Sequence, residues 1–180
     1  MRKWIALGWV GAAMAAPAHS AVTASSENGF AIENSVEVAA DADSVYALLA
    51  APDRWWNGEH SYSGNAANLS LEAKAGGCFC ETLPNADGQP GSIEHARVIY
   101  AAPGKQLRLS GALGPLQAEA VTGTLNFDIR AAAQRGVRVT MTYVAGGYIR
   151  KGASGIAPVV DKVLAEQLDR LKRAAESGQR

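Results

Sequence analysis

Two cysteines in 180 residues are too few for a disulfide scaffold, which packs several pairs into a shorter chain. Neither sign of charge is in excess, with 17 Lys and Arg against 17 Asp and Glu. That balance excludes the basic face expected of a protein that binds nucleic acid or an anionic membrane. After residue 29 no apolar run approaches the ~20 residues that a membrane-spanning helix needs. There is no internal repeat, and the sequence contains no Gly-rich phosphate loop, zinc-protease helix or nucleophile elbow. Gly76-Gly77 precedes a strand-like run rather than a helix, so it is a bend or bulge in a sheet rather than a phosphate cradle. No motif therefore names a reaction.

What is present begins with the N-terminus. Arg2 and Lys3 precede an apolar run, Trp4 to Ala16, too short to cross a bilayer of ~30 Å. Small residues then offer cuts before Ala21 or before Ser25, the pattern of a cleaved secretory signal; an uncleaved anchor is the alternative. Residues 1–24 are read as signal, 25–29 as a flexible leader, 30–176 as one domain and 177–180 as a tail. The expected location is periplasmic or secreted. Without Arg2 and Lys3 the balance is 15 basic to 17 acidic residues, −2.

Phe30 to Val38 alternates apolar and polar residues, as a half-buried strand does. Asp41 or Asp43 can cap a short helix carrying Val45, Leu48 and Leu49, and Pro52 closes it. Strand-like runs follow at Leu69–Leu71, Cys78–Leu83, Ile93–Tyr100 and Leu107–Leu113. Turn chemistry separates them at residues 87–91 and 102–105. Val121–Ile129 and Val137–Tyr143 form the clearest hairpin. The last element is an amphipathic helix from Ser154 to Ala174, with Ile156, Val159, Val160, Val163, Leu164, Leu168 and Leu171 on one stripe. The fold class is α+β: a curved antiparallel sheet of six or seven strands around that helix.

Placing Phe79 opposite Val98 puts Glu81 on the inner face. An inner carboxyl could act as a general acid or base. At the strand end it would instead meet water or an arginine. His60 and Tyr62, after Trp55-Trp56, are the other catalytic candidates or polar ligand contacts. The same register puts Cys78, Cys80 and His95 on the outer face, where zinc is conceivable but no fourth ligand is evident. Residues i and i+2 of a strand lie ~6.5 Å apart, at the edge of disulfide geometry. Cys78 and Cys80 are therefore expected to be unbonded unless a bulge brings them together. No metal or cofactor is expected.

Four segments carry a resemblance: Val38–Leu49 leading to Pro52-Asp53-Arg54-Trp55-Trp56; Gly76-Gly77-x-Phe79; Val98-x-x-Ala101-x-Pro103-x-x-x-Leu107; and the terminal helix. In that order they resemble the SRPBCC (START-like, helix-grip) superfamily over residues 30–174. The most similar branch is that of heat-shock ATPase activators and polyketide cyclases or dehydrases. The activator role needs a cytosolic chaperone and does not suit an exported chain. The resemblance implies a small hydrophobic ligand held between sheet and helix. Trp55, Trp56, Phe79, Val98, Leu125, Phe127, Met141 and Tyr143 are the expected lining, with one tryptophan pointing inward at the mouth. Two alternatives remain: a cyclase- or dehydratase-type enzyme using the same cavity, and an envelope protein-interaction module. No protein partner is specified.

Overall fold

A computed structural model describes residues 19–85 and 88–178. The signal-like residues 2–16, Asp87 of the predicted turn and the last two residues lie outside the described residues. The order of elements is β1 (His19–Ser26), β2 (Gly29–Val38), α1 (Ala42–Leu49), β3 (Leu69–Leu71), β4 (Cys78–Leu83), β5 (Gly91–Ala102), β6 (Gln106–Ser110), β7 (Ala120–Ala131), β8 (Val137–Tyr148) and α2 (Ala153–Ser177). Short 3-10 turns punctuate the path from α1 to β3 and from β6 to β7.

The eight strands form one antiparallel sheet in the order β1-β2-β8-β7-β6-β5-β4-β3. The expected count of six or seven misses β1. Residues 25–29, expected as a flexible leader, instead complete β1 at Ser26, turn at Glu27-Asn28 and start β2 at Gly29. Val22 stands opposite Ile32 and packs against the core. The β7–β8 hairpin keeps its expected faces, with Phe127 opposite Met141 and both buried.

Helix α1 is capped by Asp41, whose carboxylate accepts the Ser44 N–H at 2.9 Å. Helix α2 has weaker local signals: its N-cap is Gly152, without a side-chain cap, and Pro158 sits inside it. Packing holds it instead. Ala157, Leu164, Leu168 and Leu171 are buried at helical spacing. Asn34 of β2 donates to Asp161 at 3.1 Å, and the Ala39 N–H donates to Glu176 at 3.1 Å.

The β4–β5 pairing differs from expectation. Phe79 stands opposite Ala96, and Cys80 opposite Glu94, with a register shift between them that leaves His95 as an extra residue on β5. A two-residue offset preserves faces, so Phe79, Ala96 and Val98 remain inside. The bulge turns His95 inward too, away from the cysteines. Cys78 and Cys80 are joined by a disulfide, contrary to expectation. Their Cα atoms lie 5.4 Å apart, and the irregularity in the pairing accommodates that contraction.

Leu168 is 1% exposed, and its truncation leaves a hole that α2 cannot close. Leu168→Ala should lower the unfolding free energy by ~2–5 kcal/mol. Urea denaturation measures it; a loss below ~1 kcal/mol would show that α2 does not complete the core.

Candidate functional site

The centre of the fold is filled. Trp55 and Trp56 are both buried; Trp55 packs in the core, and Trp56 also borders open space. They follow a 3-10 turn rather than lying on a strand, so consecutive side chains need not oppose each other. Their rings meet edge-on at 5.4 Å, and each continues into another aromatic: Trp55 to Phe127 at 6.5 Å, Trp56 to Phe79 at 5.5 Å. The void among Leu49, Leu71, Phe79, Leu125 and Phe127 measures about 10 Å³, room for roughly one water. Val98, Met141 and Tyr143 are core residues, each 1% exposed or less.

Open space lies beside this core instead. A pocket of about 450 Å³ is bounded by Trp56, by residues 59–62, by the turn Leu113-Gly114-Pro115 and by Ile156, Val159, Val160, Val163 and Leu164 of α2. Of the eight residues expected to line a cavity, Trp56 lines this one. Most of its wall is aliphatic. Its polar groups are largely engaged with one another. The Trp56 indole donates to the His60 carbonyl at 3.3 Å, and Ser61 Oγ to the Gly58 carbonyl at 2.8 Å. Tyr62 Oη donates to the Gly114 carbonyl at 2.8 Å, which ties the two loops together across one side of the pocket. His60 Nε2 lies 3.1 Å from Glu166, whose other oxygen accepts from Asn57 at 2.6 Å.

Behind the 61–63 segment sits the third catalytic candidate. Glu81 is 1% exposed. Its carboxylate accepts the Tyr62 N–H at 3.0 Å, the Ser63 N–H at 2.5 Å and a hydrogen bond with His95 Nε2 at 2.9 Å. His95 is flanked by the rings of Phe79 at 4.9 Å and Tyr62 at 6.0 Å. Burial pushes the Glu81 carboxyl up, but its bonds to Ser63, Tyr62 and His95 outweigh that and hold it below its ordinary 4.5. Burial pulls His95 below its ordinary 6.5 and outweighs the pull of Glu81 in the other direction. The pair is thus a carboxylate facing a neutral imidazole that donates through Nε2. The structure brings His60 and Tyr62 to the pocket and places Glu81 behind its wall.

Gln167 was missed by sequence reasoning, although a polar residue inside the stripe Val163, Leu164, Leu168, Leu171 was a visible anomaly. It is fully buried and accepts the Asn57 N–H at 2.7 Å, which fixes the start of the pocket loop to α2. The pocket-lining turn 113–115 carried no signal beyond Gly-Pro.

No protein-family model matches the chain, and no curated protein matches it. Solved structures do. A putative uncharacterized protein from Rhizobium leguminosarum superposes with a TM-score of 0.59 at 18% identity, covering 86% of this chain and 99% of that one. A protein of unknown function from Staphylococcus aureus gives 0.58 at 12%, covering 84% and 97%. The di-domain ARO/CYC StfQ from the steffimycin biosynthetic pathway gives 0.59 at 15%. That match covers 85% of this chain and 52% of StfQ, so the chain spans about half of that protein. These identities establish the fold alone: an α+β sheet-and-helix architecture consistent with a helix grip.

The Glu81–His95 pair predicts how stability responds to acid. Below about 6.5 the unfolded chain protonates His95 while the fold resists, so stability falls as pH drops. Glu81 adds a second loss: its contribution is complete above 4.5 and disappears as pH falls through its lower folded value. Urea unfolding from pH 8 to pH 4 should show both declines. His95→Asn, whose amide can still donate, should remove the one that starts near 6.5; a pH profile identical to that of the unaltered protein would refute the assignment.

Proposed function

We propose that this is an exported SRPBCC-like protein that binds a small, mainly apolar molecule in the pocket between Trp56, the 113–115 turn and the first half of α2. The observation that carries the reading is the incomplete burial of Ile156, Val159, Val160 and Val163 around about 450 Å³ of open volume. Val159 alone is 60% exposed. Such a volume suits a small organic ligand, and such a wall binds by removing apolar surface from water, ~25 cal/mol per Å² before the costs of association.

Polar groups that could do chemistry are committed elsewhere. Glu81 is closed off by three hydrogen bonds, His60 faces Glu166, and Tyr62 Oη faces a carbonyl. This favours a binding protein over a cyclase- or dehydratase-type enzyme, although one structural neighbour is an ARO/CYC. Export rests on Arg2, Lys3, the Trp4–Ala16 run and the small residues after it. A cut before Ala21 keeps most of β1, including Val22 against the core; a cut before Ser25 would discard it.

Titration with an aromatic or lipid-like probe should quench or shift the emission of Trp55 and Trp56, the only tryptophans beyond residue 9, with micromolar affinity and little dependence on salt. Val160→Asp should weaken binding about tenfold or more by placing a charge in the apolar wall, while thermal unfolding of the variant stays cooperative. No response to any apolar probe would sink the reading and leave an interaction surface for another envelope protein.

N-terminal sequencing of the envelope fraction should read Ala-Val-Thr from residue 21. An intact Met1 in the cytoplasm would overturn export.

A further inference from the structure

We propose that the Cys78–Cys80 bond is a thiol–disulfide exchange site whose state sets the position of His95, and through it the hold on the pocket wall. The effect on ligand rests on the pocket reading above; the effect on His95 does not.

Three observations meet at one bulge. In a regular strand residues i and i+2 stand ~6.5 Å apart, but Cys78 and Cys80 are 5.4 Å apart. Across this contracted stretch Cys78, Phe79 and Cys80 of β4 face four residues of β5, Arg97, Ala96, His95 and Glu94. The residue left over is His95, and the bulge buries it beside Ala96 on the inner face. Only there does it meet Glu81, which in turn holds the N–H groups of Tyr62 and Ser63. The bond on the outer face and the dyad on the inner face are two sides of one irregularity.

A disulfide closing so short a loop restrains the unfolded chain little, so global stapling does not account for it. Both cysteines are half-buried, within reach of a small thiol. Arg97 stands opposite Cys78, and Glu94 opposite Cys80. Arg97 and Glu94 are bonded to each other, so their charges offset and single out neither sulfur. In one of the two equivalent directions, a dithiol reductant attacks Sγ of Cys80. The Sγ–Sγ bond breaks, and Cys78 departs with the electron pair. The reductant's second thiolate then displaces Cys80 and closes the reductant's own disulfide. Two electrons enter this chain, and both sulfurs end as thiols after taking up two protons. Released, β4 regains its length, the pairing regularises, and His95 alternates to the outer face. Glu81 then keeps its charge with one donor fewer.

The test compares the processed chain in oxidised form, after reduction by dithiothreitol, and as the Cys78→Ser/Cys80→Ser double variant. NMR reads the His95 imidazole titration and the hydrogen exchange of the Tyr62 and Ser63 amides. The reduced protein and the double variant should both exchange these two amides roughly tenfold faster or more, and His95 should titrate nearer its ordinary value. Affinity for the apolar probe should fall roughly fivefold or more, the scale of ordinary coupling between sites. Unchanged His95 and amide signals in a folded double variant would overturn the proposal, as would global unfolding on reduction, which would make the bond a staple. If the NMR changes appear but the oxidised protein binds no probe, the exchange site stands and the pocket reading fails.

Discussion

A carboxylate at 1% exposure must replace the water it has lost, and Glu81 does so with three hydrogen bonds. Removing a donor from such a group costs far more than the bond itself is worth, because the charge stays behind. The need for donors dictates much of the surrounding structure. Two come from the backbone of Tyr62 and Ser63, so the loop after the tryptophans must pass directly over β4. The third comes from His95, so β5 must bulge. With the loop pinned, Tyr62 reaches the Gly114 carbonyl and the pocket acquires two of its walls. Gly77 contributes from the other end of β4: a Cβ there would collide with the Glu72 carbonyl, so the close approach that begins the strand requires glycine.

Helix α2 answers to two demands with one stripe. Ala157, Leu164, Leu168 and Leu171 are buried in the core, with Leu164 also bordering the pocket. Ile156, Val159, Val160 and Val163 lie one column over and remain partly open. Gln167 and Glu166 bond Asn57, so the loop that faces the open column is fastened to the same helix that supplies it. The wall can therefore be apolar without being loose. Polar side chains fix its geometry from behind and leave the aliphatic ones to face the space.

Alternation made β2, β7, β8 and the inner faces of β4 and β5 legible in the sequence, because each has one face in the core. Helix α2 was legible for the same reason. What escaped was irregular. Strand β1 is an edge built from small and polar residues, Ser20 to Ser26, and its packed anchor, Val22, gives no periodic signal. The bulge at His95 has no compositional mark, and without it the cysteines look too far apart and His95 lands on the wrong face. Glu81 was legible as an inner carboxyl but its partners were not, since two are backbone groups of a loop eighteen and nineteen residues away.

The same reasoning explains why the open volume lies at the edge of the grip rather than its centre. Trp55, Trp56, Phe79 and Phe127 form a chain of edge-on rings across the middle, and together with Leu49, Leu107 and Leu125 they leave about 10 Å³. Large rings in edge contact fill space efficiently, so a grip rich in them at its centre closes on itself. At the N-terminal half of α2 the chain instead presents isoleucine and valines, whose short branches cannot reach the 113–115 turn or the ring of Tyr62. The gap that results measures about 450 Å³. An apolar ridge left short of its partners is stable only because the loops opposite are held by Glu81, Glu166 and Gln167 rather than by contact with the ridge itself. Polar anchoring behind the wall is what permits an apolar space in front of it.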